Sequence, residues 1–404
     1  MTERYQMRLA LLSGEYPPRP GGVGDYTRRL ALALVARGYQ VYVLTIADCS
    51  LQIGDLQAGE RHLRSAMGNL RSGWGWRSWA AVIAALDLVR PDVLHIQYQT
   101  GAYGMHPAIN FLPWRLRALG RAGVRRPAVA VTAHDLLPPY LFPKAGPLRT
   151  WVTRRILADA DAAIVTNPED YAALAGLRRL APILIPIGSN ISLAPPAGYD
   201  RAAWRAQLGV APGETLVAYF GLLSRTKGVD TLLDALEQLP ARVRLLVVGG
   251  EAPAPQDREY AAAVRRRLAE GPLGARVHIT GHCREDEVSA HLLAADLAAL
   301  PFADGASFRR GSLLAALAHG LPTVTTLKDE RRTLNIGADS LQRLGESALL
   351  VPPGDAAALA EAIARLAGDA ALRARLGAAG RALAAQFSWD AIAEQHEAVY
   401  RSLI

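Results

Sequence analysis

The sequence predicts an α/β protein of two doubly wound, Rossmann-like domains that face a cleft, and three observations lead to this prediction. Short apolar runs alternate with helix-length amphipathic segments along the whole chain, which is typical of a parallel sheet covered by helices. The alternation pauses once, at a segment rich in proline and glycine, and then restarts. A length of 404 residues also suits two domains of roughly 100–200 residues each.

The first domain is predicted over residues 1–193, with strands in the runs MRLALLS, QVYVLTI, DVLHIQY, AVAVTA, AAIVTN and PILIPIG. Asp25 is expected to cap its first helix, and Gly38 to end it. The linker SLAPPAGYDRAAW contains Pro195, Pro196 and Gly198. The second domain, over 200–388, has strands in TLVAYFG, RLLVVGG, RVHITG, DLAALPF, PTVTTL and ALLVPPG. A capped helix is expected from about 389 to 404.

The amino-acid composition excludes several classes of protein. Half of the residues are hydrophobic and 20% are charged, which excludes a disordered, collagen-like or disulfide-scaffold chain. Cys49 and Cys283 allow no cysteine-based zinc site, and the nine histidines show no metal-ligand spacing. The start of the chain lacks the pattern of a secretion signal, and no run of about 18 apolar residues is present. We therefore expect a cytoplasmic protein without metal or cofactor.

Two loops of the first domain follow predicted strands at the sheet edge where α/β proteins bind ligands. The first, GEYPPRPGGVGDYT, places Gly22 where the backbone can approach an anionic or polar ligand at a helix N-terminus. A structural turn is an equally good interpretation. The second, VTAHDLLPPY, carries His134, which is expected to point into the cleft; a histidine with only a satisfied structural role is the alternative. Asp135 suits a cap or a histidine-orienting group. The pair Asp159 and Asp161 lies at the opposite strand end and is predicted to be structural.

The second domain offers a loop that is suited to a diphosphate. In FGLLSRTKGVDTLL, Arg225 and Lys227 stand beside Gly228 at the start of a helix. Two cations neutralise phosphate oxygens there, and helix N–H groups complete the site. A solvated turn is the alternative, but lysine occurs at only three positions of this arginine-rich chain.

A second polar loop, in LPFADGASFRRGSLLAAL, enters an apolar helix. It supplies a carboxylate for sugar hydroxyls, two guanidinium groups for phosphate, and small residues for backbone contact. These residues are Asp304, Gly305, Ser307, Arg309 and Arg310. A surface connector is the alternative, although it would not need so many polar groups.

Positive charge is concentrated in the first half, which carries a balance of +9 through Leu193 against +8 for the whole chain. Tryptophans 74, 76 and 79 lie beside Arg71 and Arg77, and WRLRALGRAGVRR spans Trp114 to Arg126. Interleaved rings and arginines suit an anionic membrane surface. A basic solvated surface with buried tryptophans is equally compatible. No nucleic-acid-binding motif is present.

Taken together, the motifs resemble the retaining, nucleotide-sugar-dependent glycosyltransferases of the GT-B fold, family 4. They are PPRPGGVGDYTRRLALALVARGYQVYVLT, DVLHIQY, VTAHD, VTNPED, IPIGSNI, FGLLSRTKGVDTLL, LLAALAHGLPTVT, SALLVPPGDAAALAEAI and FSWDAIAEQHEAVY. The resemblance implies an acceptor-side first domain, a donor-binding second domain and a last helix that crosses back to the first. It implies metal-independent transfer from a nucleotide-diphosphate sugar to a glycan or lipid-linked acceptor. Lys227 would stabilise the leaving phosphate, Gly22 would line the phosphate and acceptor side, and His134 would approach the donor sugar.

Two positions depart from the family pattern. Leu222 follows Gly221 where an arginine is usual, so Arg225 is the proposed substitute. Ser307 and Ala315 occupy the places of two glutamates, the second of which commonly holds the nucleotide ribose. Asp304, Ser307 and the two arginines are predicted to form a rebuilt donor site. A catalytically inactive relative that binds a nucleotide or glycan remains the alternative; an epimerase would need more acidic and histidine groups.

Overall fold

The computed structural model describes residues 6–17, 21–47, 50–55, 63–69, 73–136, 146–175, 181–251, 255–327 and 338–404. The chain forms two compact units. Unit 1 comprises Met1–Ile187 and Trp389–Ile404, and unit 2 comprises Gly188–Ser388. Among the described residues, no helix combines the length and the hydropathy that spanning a bilayer requires.

The strands and helices follow one another in the order that the alternating pattern predicts. The strands are β1 (Arg8–Ser13), β2 (Gln40–Ala47), β3 (Ser50–Asp55), β4 (Leu63–Asn69), β5 (Val93–Tyr98), β6 (Ala128–Ala133), β7 (Ala162–Val165), β8 (Ile183–Leu184), β9 (Thr215–Phe220), β10 (Val243–Val248), β11 (Val277–Ile279), β12 (Leu297–Leu300), β13 (Thr323–Thr326) and β14 (Ala348–Val351). The helices are α1 (Gly22–Ala36), α2 (Ser78–Val89), α3 (Leu112–Arg121), α4 (Pro147–Ala158), α5 (Pro168–Ala175), α6 (Arg201–Gln207), α7 (Val229–Glu237), α8 (Pro255–Glu270), α9 (Glu285–Ala294), α10 (Gly311–Ala318), α11 (Ala338–Ser347), α12 (Ala356–Gly368), α13 (Ala370–Ala384) and α14 (Trp389–Ser402).

Unit 1 is a three-layer structure around the sheet β4-β3-β2-β1-β5-β6-β7-β8. Helices α2, α3 and α4 bury their apolar sides against one face, and α1 and α14 against the other. Because both faces are covered, the central strand β5 is buried at every position, from Val93 to Tyr98. The last helix therefore contributes to the core of unit 1.

The structure corrects two expectations for unit 1. The sequence predicts a parallel sheet of about six strands, but β3 and β4 add an antiparallel extension beyond β2. Helix α1 begins at Gly22, so Asp25 lies inside its first turn and is not the cap. The Glu15 carboxylate instead accepts a hydrogen bond from the backbone N–H of Val23 at 3.0 Å. The predicted end at Gly38 is correct, since its φ of +89° belongs to the left-handed region.

Unit 2 contains the six predicted strands in one parallel sheet, ordered β11-β10-β9-β12-β13-β14. The strand order reverses between β9 and β12, so their carboxyl ends form the switch point where open α/β sheets bind ligands. The proline-containing segment lies on this unit, where the Ala194 N–H donates to Ser289 Oγ at 3.1 Å. The predicted α/β class of two doubly wound domains is confirmed.

Candidate active site

The two polar loops of unit 2 leave the sheet from neighbouring strands at the switch point. A single 3-10 turn, Arg225–Lys227, follows β9, and Gly228 leads from it into α7. Residues 301–310 connect β12 to α10. The backbone N–H of Ala303 donates to the Thr226 carbonyl at 3.1 Å, so the loops contact each other directly.

Gly228 makes this contact possible. Its φ is +69°, and a Cβ at this position would lie 1.9 Å from the carbonyl oxygen of Pro301. An L side chain therefore meets both an unfavourable backbone conformation and a backbone collision. Glycine is required here for the Lys227 turn to lie against the loop after β12.

We expect Gly228→Ala to destabilise the protein by about 2–3 kcal/mol, because one loop must move away from the other. Gly213→Ala is the matched control: its φ is +83°, but nothing lies within 4 Å of an added Cβ. In the control, only the unfavourable left-handed conformation of alanine should lower the free energy of unfolding, by about 1 kcal/mol. Thermal unfolding of both variants measures the difference, and equal losses would contradict the steric argument.

The ring of Phe302 gathers the charged side chains of the two loops. Lys227 Nζ lies 5.2 Å and Arg310 Cζ 4.2 Å from the ring centroid, both within cation–π range. Asp304 accepts a hydrogen bond from the Arg310 guanidinium. Desolvation lowers the pKa of Lys227, nearby Arg310 lowers it further, and Asp304 partly opposes this. We call Lys227, Phe302, Asp304 and Arg310 the Phe302 cluster; it concentrates two cations beside one carboxylate.

Two polar groups, one within this cluster and one next to it, are buried without a hydrogen-bond partner among the described residues. They are Arg310 Nε and the hydroxyl of Ser312, which is 8% exposed. Both stand at the start of α10, where the unpaired helix N–H groups and the helix dipole favour an anion. Buried polar groups are usually paired, so these two could take a hydrogen-bond partner from a bound anion. Sequence reasoning missed Phe302 and Ser312; a serine directly after the glycine of a βα loop was the available signal.

The remaining predicted residues of unit 2 are distributed around the cluster. Arg225 is exposed, and its guanidinium lies 5.7 Å from the ring centroid of Tyr260 on α8, whereas Lys227 lies over Phe302. Ser307 Oγ accepts a hydrogen bond from the Arg309 N–H at 3.2 Å, and the Arg309 side chain is exposed. Gly305 turns the loop with a φ of +92°. The structure thus pairs Lys227 with Arg310 on one ring and gives Arg225 a different partner.

The predicted residues of unit 1 stand at the carboxyl ends of β1 and β6. Gly22 is exposed, and an added Cβ would meet nothing within 4 Å. The N-terminus of α1 beside it already holds the Glu15 carboxylate. His134 is buried, its Nε2 lies 3.0 Å from Gln97 Oε1, and its ring packs edge-on against Tyr26 at 4.6 Å.

The aspartate pair has the predicted structural role. Arg155 Nε lies 2.5 Å from Asp159, and Arg126 lies 2.6 Å from Asp161, which also accepts the Val129 N–H. Within the described part of the chain, no group of three or more His, Cys, Asp and Glu side chains is placed to hold a metal ion.

Two doubly wound units, one of them with basic loops at its switch point, are the architecture of the GT-B glycosyltransferases. Residues 21–187 match the model of the glycosyl transferase 4-like domain, and residues 214–369 match that of glycosyl transferases group 1. The chain belongs to this glycosyltransferase family, in agreement with the motif resemblance.

Similar proteins cover nearly the whole chain. A D-inositol 3-phosphate glycosyltransferase of Xylanimonas cellulosilytica is 28% identical over 97% of this chain and 96% of its own. A phosphatidyl-myo-inositol mannosyltransferase of Mycobacterium leprae is 29% identical over 98% of this chain and 97% of its own. Among solved structures, sucrose-phosphate synthase from Thermosynechococcus elongatus has a TM-score of 0.68 and 27% identity, with 98% of this chain and 99% of that chain covered.

Proposed function

We propose that this chain is a retaining, metal-independent glycosyltransferase that moves a sugar from a nucleotide-diphosphate sugar to a hydroxyl acceptor. The observation that carries the proposal is the Phe302 cluster next to the unpartnered Ser312 hydroxyl. A diphosphate would satisfy this arrangement, because its oxygens accept from cations, hydroxyl and helix N–H groups at once. In this role unit 2 binds the donor, and no cofactor takes part.

Each of the predicted site residues has a part in the proposal. Lys227 and Arg310 stabilise the charge that develops on the leaving diphosphate. Asp304 accepts from sugar hydroxyls, and Gly305, Ser307 and Arg309 line the donor loop. Arg225 contributes to the rim of the phosphate site. Gly22 lines the phosphate and acceptor side, and His134 acts at the donor sugar in the transfer step.

The acceptor is proposed to be an anionic or lipid-linked polyol, as part of glycan, glycolipid or cell-surface polysaccharide synthesis. Support comes from the relatives named for inositol 3-phosphate and phosphatidyl-myo-inositol. The test is a panel of nucleotide sugars, each incubated with inositol phosphate or phosphatidylinositol. We expect nucleotide release that depends on the acceptor and persists in EDTA, and a product whose anomeric configuration matches the donor by NMR.

A catalytically inactive relative is the second candidate, favoured by Ser307 and Ala315 at the positions of the family's glutamates. Ala315 is fully buried within α10, and its methyl group offers a ribose no hydrogen bond. This candidate predicts saturable nucleotide binding by calorimetry without nucleotide release for any donor and acceptor pair. Release with an inverted product would instead reject the retaining mechanism.

Unit 1 is further proposed to dock on an anionic membrane surface at the cytoplasmic side of the cell membrane. Trp74 is buried, which corrects the expectation that its ring faces the lipid. Trp79 is half-buried and donates to the Ala108 carbonyl at 2.9 Å, and Arg71 lies outside the described residues. Large apolar side chains are nevertheless exposed on α2, α3 and α4 and in the turn before α2: Trp76, Leu88, Trp114, Leu148 and Trp151. Exposed arginines accompany them: Arg77, Arg90, Arg121 and Arg125.

We expect the protein to sediment with anionic liposomes at low salt and to be released as salt screens the arginines. Replacing both exposed rings, Trp76→Ser and Trp151→Ser, should weaken sedimentation, since rings anchor at headgroup depth. Leu193→Ser is the control, because Leu193 is similarly exposed but belongs to unit 2. Protein that stays in the supernatant with anionic liposomes at low salt contradicts the membrane proposal.

A further inference from the structure

A network of buried polar side chains lies in unit 1, between the sheet and the helices α1 and α14. His95, Gln97 and Thr132 stand on the central strands β5 and β6, and none of them is exposed to solvent. His396 and Tyr400 of α14 lie opposite and are equally buried. Polar groups at such depth cost stability unless each is paired, so the hydrogen bonds among them define one arrangement.

The last member of this network is His134. Tyr400 Oη lies 2.6 Å from His95 Nδ1, and His95 Nε2 lies 2.7 Å from Thr132 Oγ1. Gln97 Nε2 lies 3.2 Å from each nitrogen of the His95 ring. On its other side, Gln97 Oε1 lies 3.0 Å from His134 Nε2. An amide oxygen only accepts, so the His134 ring donates from Nε2 and its tautomer is fixed by Gln97.

A second contact path from α14 supports the same ring. His396 Nδ1 donates to the Ile392 carbonyl at 2.8 Å, which leaves its Nε2 to accept from the Tyr26 hydroxyl at 3.4 Å. Tyr26 in turn packs edge-on against His134. Burial lowers the pKa of His396 to about 4 and that of His95 well below its usual range. Both histidines are therefore neutral at physiological pH.

We propose that Gln97 is a positioning residue that holds the His134 imidazole in one plane and one tautomer for the transfer step. The last helix supports it through Tyr400 and His95 on one side, and through His396 and Tyr26 on the other. This inference rests on the proposed participation of His134 in transfer. It gives α14 a role in the site beyond packing, since side chains from the last turns of the chain hold a residue that follows β6.

The experiment combines histidine NMR with kinetics on the full chain. Protein labelled with 15N-histidine reports the tautomer of each ring, and His134→Asn assigns the His134 signals. Gln97→Met removes the amide oxygen and the amide NH2 at similar volume. We expect mixed His134 tautomers and a fall in kcat of about tenfold to hundredfold with an unchanged donor KM. Gln97→Glu keeps an acceptor at the same place and should retain the proton on Nε2. Tyr400→Phe keeps the ring but removes the hydroxyl, and so tests the contact with His95 at the far end of the network.

The NMR signals test whether Gln97 positions His134, and the turnover tests whether His134 takes part in transfer. Unchanged His134 signals in Gln97→Met would overturn the positioning role, whatever the activity. Changed His134 signals with unchanged turnover would show that Gln97 positions the His134 ring, and would reject the participation of His134 in transfer. If Gln97→Met does not fold, as judged by thermal unfolding, Gln97→Glu decides: loss of the Nε2 proton signature in that variant overturns the proposal.

Discussion

Replacing Lys227 with alanine is expected to weaken nucleoside diphosphate binding by about tenfold to hundredfold, equivalent to about 1.5–3 kcal/mol. Transfer should fall further, by about 10²–10³, because charge grows on the diphosphate as the sugar leaves. The apo protein should not lose melting temperature, since the desolvated ammonium has no direct carboxylate partner among the described residues and its pKa is lowered in the folded protein. A lysine with a lowered pKa disfavours the folded state wherever it is charged.

Calorimetry with UDP, GDP and ADP measures the affinities. Arg284→Ala is the matched control, because Arg284 is exposed and pairs with Asp286 at the start of α9. Affinity of the wild-type protein should also decline as pH rises through the lowered pKa of Lys227, below the usual lysine range, and Lys227→Arg should lose this decline. Unaltered affinity in Lys227→Ala would show that the diphosphate binds elsewhere.

The placement of these residues shows what a sequence pattern can predict. Apolar runs such as LAAL and TLVAYF are buried on both faces, so they mark strands, and the polar loops after them must lie at one sheet edge. That reasoning locates Lys227 and Arg310. It cannot predict that both cations lie over Phe302, because two loops separated by many residues meet there only in the folded unit.

Other features depended on contacts that no local pattern records. Asp25 fits an N-cap by residue type, yet α1 starts at Gly22 and the Glu15 side chain accepts from its first turn. Trp74 and Trp76 have the same local composition, but one is 7% and the other 50% exposed. Strand β3 alternates polar and apolar residues only from Ser50 to Ile53, a run too short to predict a strand by itself, and its pairing with β2 shows that it is one. In each case tertiary packing decided between local alternatives.

Replacing Asp304 with asparagine is expected to separate donor binding from transfer. If its carboxylate accepts from the sugar hydroxyls, losing that charge removes about 1.5–3 kcal/mol of transition-state stabilisation, or about tenfold to hundredfold in kcat/KM. Bare nucleoside diphosphate should bind equally well or more tightly. The carboxylate is the one anion of the Phe302 cluster, and without it the two cations act on the phosphates with less compensation.

The opposite signs of these effects make the test specific. A purely structural Asp304, present only to hold Arg310 in place, predicts that nucleotide affinity and transfer fall together in Asp304→Asn. Arg310→Ala provides the comparison, since it removes a cation and should weaken bare nucleotide and transfer alike. Measuring both variants with UDP and with the active donor from the panel distinguishes the cases. A carboxylate that binds sugar would then explain an acidic side chain beside the proposed diphosphate site, where the two cations of the Phe302 cluster favour negative ligands.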